Sequence, residues 1–268
     1  MGEMNYKGLN KPYDSAFKSI IQKCPRLTLF LINEMFYRNG LIEKPYDGTE
    51  RITLLNRELT DLGFGNREED LRLKVETDQN GIFHLECESS PGSTKVMLRM
   101  VRYDIQTALN EVKIHDDYIR YRIDDSGVLF LRSTENTPSM VTVIVDGPQG
   151  SSMSYRIPGL KLQDYTMATM LEKKLFLLLP FLFFNYEEQI GKTADPRVYR
   201  EIEALYDRMI QTLKELTEKE IITAYEASTL YDALKVVVEA LGEKTKAEKG
   251  GSGDHGRKSI GVQRGQVL

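Results

Sequence analysis

Two stretches of the chain alternate apolar and charged residues with a period of two, the pattern of half-buried strands. In the first, Leu71, Leu73 and Val75 share one face while Asp70, Arg72 and Lys74 share the other. In the second, Phe83, Leu85 and Cys87 share one face while His84, Glu86 and Glu88 share the other. The segment Asp78-Gln-Asn-Gly81 between them predicts a tight turn. A two-residue loop at Asn80-Gly81 would set Val75 opposite Glu86 and mix the faces. A three-residue loop, Gln79-Asn80-Gly81, sets Lys74 opposite Glu86 and puts Gly81 at a left-handed position. A five-residue loop also keeps the faces and sets Asp70 opposite Glu88; the pattern leaves both registers open.

Helical spacing dominates elsewhere. Residues 14–38 carry Phe17, Ile20, Ile21, Leu27, Phe30, Leu31, Ile32 and Met35 at that spacing, and Pro25 divides them into two helices. Residues 50–56 predict a further strand. Ser90-Pro91-Gly92-Ser93 is a break, followed by a helix from Thr94 to Val112 with Met97, Met100, Val101, Ile105, Ala108 and Leu109 inward. Residues 128–131 and 140–145 read as strands, and the second is apolar enough to be expected at the sheet centre. Three helices are expected over 164–189, 197–217 and 218–241. The run Leu175–Phe184 contains Pro180 and is far shorter than the roughly 20 residues a bilayer span needs, so it predicts a buried, kinked helix.

The expected organisation is therefore an α/β core over 10–160, with a mixed sheet flanked by helices. A helical C-terminal segment follows over 161–242, then a charged, Gly-rich tail over 243–268 expected to be disordered. No internal repeat and no phosphate-loop motif occurs. The helical C-terminal segment can support a homo-oligomer.

Composition narrows the chemistry. Among 268 residues, 41% are hydrophobic and 28% charged, which fits a soluble globular protein. A net charge of −4 makes the whole chain no electrostatic trap for nucleic acid, although a local basic patch suffices for binding. Two cysteines, Cys24 and Cys87, provide no disulfide framework and no zinc-binding pair, so a reducing cytoplasm is the expected compartment. No secretory signal or membrane span is expected.

Three carboxylates gathered on one sheet face, Asp70, Glu86 and Glu88, repel one another unless a cation holds them. A hard divalent ion such as Mg²⁺ takes oxygen ligands and often only one or two carboxylates. The bland alternative is an ordinary solvated face of an antiparallel sheet.

The order helix, strands, Asp on one strand, Glu on the next, then a helix with basic residues resembles the PD-(D/E)XK nuclease superfamily. Within it the chain is similar to the recombination-promoting nuclease and putative transposase family. The resemblance spans about residues 10 to 190. It rests on Tyr13-Asp14-Ser-Ala-Phe17-Lys18, Asp70, Glu86-x-Glu88, Arg99-Met100-Val-Arg-Tyr103-Asp104-Ile105, Tyr155-Arg-Ile-Pro-Gly, and Glu172-Lys-Lys-Leu175 leading into Leu179-Pro180-Phe181. It implies a restriction-endonuclease-like fold and a DNA endonuclease dependent on Mg²⁺ or Mn²⁺ and linked to recombination or mobile elements. Asp70 and Glu86 would be the metal ligands, with Glu88 in the catalytic set and Arg99, Arg102 and Lys18 as phosphate contacts.

One position departs from the pattern. The superfamily ends its motif in lysine, and this family usually shows glutamine two residues after the strand glutamate; here that residue is Glu88. Lys74, or Lys95 on the next helix, would then have to supply the positive charge. The alternative is a catalytically degenerate nuclease fold that binds DNA or a protein without cutting. His84 reads as a hydrogen-bonded neighbour of the acids, Tyr103 as a packed aromatic and Cys87 as inert core.

Overall fold

Pro25 divides the first periodic stretch as its position predicts, giving α1 (Lys11–Lys23) and α2 (Arg26–Ile32). The structure is a computed structural model that describes residues 11–55, 58–59, 67–68, 71–77, 81–89, 94–187, 189 and 196–250. A π-helical turn, Asn33–Tyr37, continues α2. Strands β1 (Arg51–Leu54), β2 (Glu58–Leu59), β3 (Arg67–Glu68), β4 (Arg72–Glu76) and β5 (Gly81–Glu88) precede α3 (Thr94–Asn110). Then come β6 (Lys113–Ile114), β7 (Ile119–Arg120), β8 (Asp125–Phe130), β9 (Met140–Asp146) and β10 (Ser152–Lys161). The remainder is helical: α4 (Met167–Glu172), a 3₁₀ run over Phe176–Tyr186, α5 (Pro196–Glu218) and α6 (Ala224–Gly250).

Six strands form one mixed sheet in the order β1-β4-β5-β8-β10-β9. Only the β5–β8 and β8–β10 pairs are parallel; the rest are antiparallel. This is the α/β sheet with flanking helices and a helical C-terminal part that the periodicities predict.

The β4–β5 register differs from both expected ones. Lys74 lies opposite Ile82, and Val75 lies opposite Gly81. The shift is an even number of residues, so both faces keep their character. Gly81 is part of the strand, not a left-handed turn residue. A Cβ there would lie 2.7 Å from the Phe83 ring and 3.0 Å from the Tyr46 hydroxyl, so the position needs glycine for close approach.

Strand β9 is an edge strand, not the central one its apolar sequence suggests. The segment containing Tyr155-Arg-Ile-Pro-Gly159, which periodicity left unassigned, forms β10 and inserts between β8 and β9. Pro158 has no N–H to give, and pairing with β8 starts at the next residue, Gly159.

The main core lies on the apolar face of the sheet. Leu71, Leu73, Val75, Phe83 and Leu85 meet Tyr13, Phe17, Ile20 and Ile21 of α1 there, together with the 3₁₀ run. That run, expected as a kinked helix, is buried on every side from Phe176 to Phe184 and takes 3₁₀ form around Pro180. Phe184 packs edge-on against Tyr13 with ring centroids 4.6 Å apart. Residues of α5 and α6, including Met209, Leu230, Leu234 and Val237, join the same core. Arg26 grips Glu226 through Nη2 at 2.7 Å, and Glu226 in turn caps α6 by accepting from Thr223 N at 2.8 Å. Helix α6 runs to Gly250, past residue 243 where the tail was expected; 251–268 lie outside the described residues.

The π turn is tied to the C-terminal part through one carboxylate. Glu34 Oε1 accepts from Tyr165 Oη at 2.7 Å, from Lys173 Nζ at 2.6 Å and from Arg38. Burial pushes the Glu34 carboxyl up, but these donors outweigh it and hold the group below its ordinary value.

Two outcomes follow. A Cβ at residue 159 would fall 2.5 Å from the Pro138 carbonyl oxygen and 2.8 Å from the Phe130 ring, so Gly159→Ala should lower urea-unfolding stability by about 1–3 kcal/mol. Because the folded value of Glu34 is depressed, its contribution is complete above the unfolded carboxyl value and lost as pH falls through the folded one. The stability gap between the parent and Glu34→Gln should therefore be widest near neutral pH and close below about pH 4. Urea unfolding across that range measures it.

Candidate functional site

The charged face of β5 is not solvated. Helix α3 lies on it, leaving His84 3%, Glu86 1% and Asp104 2% exposed. A charge with so little water must find its partners inside the protein. Three such groups run along this face.

At the start of β5, Arg72 on the neighbouring strand donates Nε to Asp124 Oδ2 at 2.5 Å. Its Nη1 and Nη2 reach the two oxygens of Glu111, just after α3, at 2.6 and 2.8 Å. The Glu111 hydrogen bonds are the largest influence holding the Arg72 guanidinium charged, ahead of those from Asp124. In the middle, Asp104 Oδ1 lies 2.8 Å from His84 Nδ1 and accepts from Ser126 Oγ at 2.7 Å. Asp104 Oδ2 and the Tyr155 hydroxyl are buried without a hydrogen-bond partner among the described residues. Burial first, and then the Asp104 charge, push the Tyr155 hydroxyl up to about 12. At the far end, Arg99 Nη2 donates both to Glu86 Oε1 and, at 3.0 Å, to Glu88 Oε2. Glu86 Oε2 has no hydrogen-bond partner among the described residues.

The structure thus brings Glu86, Glu88 and Arg99 together and sets His84 beside them. Asp70, the second expected ligand, lies outside the described residues. Lys74 is on the same face but pairs with Ile82, four residues along β5 from Glu86, so the register that aimed it at Glu86 is not the one formed. Lys95 is exposed in the first turn of α3, and Arg102 is exposed one turn beyond Arg99. Lys18 pairs with Asp14 at 3.1 Å on α1, whose helix packs against the opposite, apolar face. Tyr103 packs 6.3 Å from the His84 ring, and Cys87 is buried on the apolar face.

Asp124, Ser126 and Glu111 were not singled out in the sequence, and Asp104 was named only within the Arg99–Ile105 stretch, with no role. Asp104 falls on the inner stripe of α3 with Met97, Met100 and Ala108, while Ile105 and Leu109, expected inside, are exposed. The helix is rotated because the sheet beneath it offers His84 and Ser126 here, not an apolar surface. An acid in register with the apolar stripe was the available signal.

Among the described residues no three His, Cys, Asp or Glu side chains form a metal cage. One feature still suits a hard dication: Glu86 Oε2 is a buried carboxylate oxygen without a donor among the described residues.

Removing one side of the inner ion pair gives a direct test of this buried layer. Arg72→Met strands Asp124, so it should cost about 3–5 kcal/mol of unfolding free energy. Glu111→Gln alters a more exposed partner and should cost about 1 kcal/mol or less. Chemical denaturation of the two variants side by side measures the difference.

Comparison with family models, with curated proteins and with solved structures gives no match to this chain.

Proposed function

We propose that the chain is a metal-dependent DNA endonuclease with a restriction-endonuclease-like core, acting in recombination or on mobile elements. The observation that carries this reading is the Glu86 carboxylate, 1% exposed, with Oε1 on Arg99 and Oε2 facing no donor among the described residues. A buried anionic oxygen without a donor is costly, and a bound cation removes that cost. Glu86 would hold Mg²⁺ or Mn²⁺ together with Asp70. The ion, when bound, acidifies a water and offsets charge on the scissile phosphate.

The remaining work falls to this chain's own groups. Arg99, with 38% of its side chain exposed, can turn from the carboxylates toward a phosphate, whose oxygens suit its planar fork. Arg102, exposed on the same helix, extends that basic edge. Asp104 fixes the His84 ring, which keeps the wall beside Glu86 rigid. Glu88 competes for Arg99 and adds a negative charge where phosphate would arrive, so cutting should be slow.

A second reading has its own support. Arg99 neutralises both Glu86 and Glu88, and α3 covers the face, as befits a degenerate nuclease fold that binds DNA without cutting. Supercoiled plasmid separates the two. The nuclease reading expects weak nicking with Mg²⁺ or Mn²⁺, none without, loss in Glu86→Gln at unchanged melting temperature, and a gain in Glu88→Gln. Plasmid retardation without nicking in any variant favours the binding module. Neither nicking nor retardation ends the nucleic-acid reading altogether.

A further inference from the structure

Among the described residues, strand β9 is paired on one side only. Gly159 N donates to Ser139 O at 2.9 Å, and Gly147 N donates to Ser151 O at 2.7 Å. In an antiparallel ladder bonded pairs alternate, so both ends agree that Val141, Val143 and Val145 bond to β10. Met140, Thr142, Ile144 and Asp146 therefore turn their N–H and C=O groups to the open edge. Natural edge strands are usually protected by lysine, proline, a bulge or shortness. Met140–Val145 has none of these, and its Ile144 is 63% exposed. The opposite edge, β1, is four residues long and carries Arg51 paired to Glu76.

The sequence of β9 is self-complementary. Set antiparallel to a copy of itself about Val143, Val141 falls opposite Val145 of the second copy. Thr142 falls opposite Ile144, and Met140 opposite Asp146. The bonded and unbonded positions also match, because Thr142 and Ile144 are the groups turned outward. No like charges meet: the two Asp146 carboxylates end about 20 Å apart, beyond the screening length of about 8 Å. Val141 and Val143 belong to the face that packs with Val101 of α3 and Tyr155. A two-fold axis perpendicular to the sheet keeps that face continuous, so the exposed Val145 gains the second copy's Val141 as a neighbour.

We propose that β9 is the dimerisation strand of this protein: two copies pair β9 antiparallel on a two-fold axis at Val143 and join their sheets into one. The pairing closes on itself and consumes the unprotected edge of both copies. It does not depend on whether the chain cuts DNA.

Sedimentation equilibrium of the full chain at micromolar concentration should give a dimer. Ile144→Pro removes only an outward N–H, and Ile144→Lys places a charge beside the edge; both should sediment as folded monomers with the parent's circular dichroism. Should the proline variant misfold, the lysine variant carries the test. Under mild oxidation Val143→Cys should form a covalent dimer by itself. Val141→Cys and Val145→Cys should cross-link only when mixed, because residue 141 faces residue 145. A monomeric parent overturns the proposal. So does a dimer that persists in a folded Ile144→Lys, or a Val143→Cys that fails to cross-link.

Discussion

Burial of β5 on both faces is the constraint from which the rest of this structure follows. One face rests on the apolar core, and α3 closes the other, so charges that would be harmless on a wet sheet must be matched inside. Arg72 is shared between Asp124 and Glu111, Asp104 between His84 and Ser126, and Arg99 between Glu86 and Glu88. Each group needs a partner from another element, which fixes where α3 and β8 can lie. The layer also has an unfinished side: Glu86 Oε2 and Asp104 Oδ2 meet no donor among the described residues.

Much of the fold was legible because the periods of its elements are clean. The two-residue alternation in Leu71–Val75 and Phe83–Cys87 sorted both faces correctly, and Pro25 announced the break between the first helices. What escaped depended on contacts distant in sequence. The β4–β5 register formed sets Gly81 close to the Phe83 ring and the Tyr46 hydroxyl, a contact that local alternation does not show. Strand β10 was hidden by Pro158, a residue that argues against a strand unless its missing N–H falls where pairing has not begun. The position of β9 misled because an apolar run signals burial on both faces only when neighbours exist on both sides. At the site, Glu86, Glu88 and Arg99 were visible as candidates, but the rotation of α3 that brings Asp104 inward is set by the polar sheet beneath it.

The acids are also tied to the C-terminal helical part. Arg132 donates to Ser89 O, directly after β5, and holds both oxygens of Glu187 while lying over the rings of Tyr13 and Phe184. One guanidinium thus joins the end of the acid-bearing strand, α1 and the 3₁₀ run. The helical segment is a wall of the same core, not an appendage.

The packing of α1 against the C-terminal helices carries a consequence for how the chain is made. Arg26 and Glu226 are 200 residues apart, and Tyr13, Phe17, Ile20 and Ile21 have much of their cover from residues of the second half. Contacts of such long sequence separation form late, because loop closure must come first. On the ribosome, at about 5–20 residues per second, α1 would wait some ten seconds or more with its apolar face uncovered. Within the described residues, the first helix to emerge is among the last to be enclosed, and during that interval the nascent chain offers other proteins, chaperones among them, the surface that later holds its two halves together.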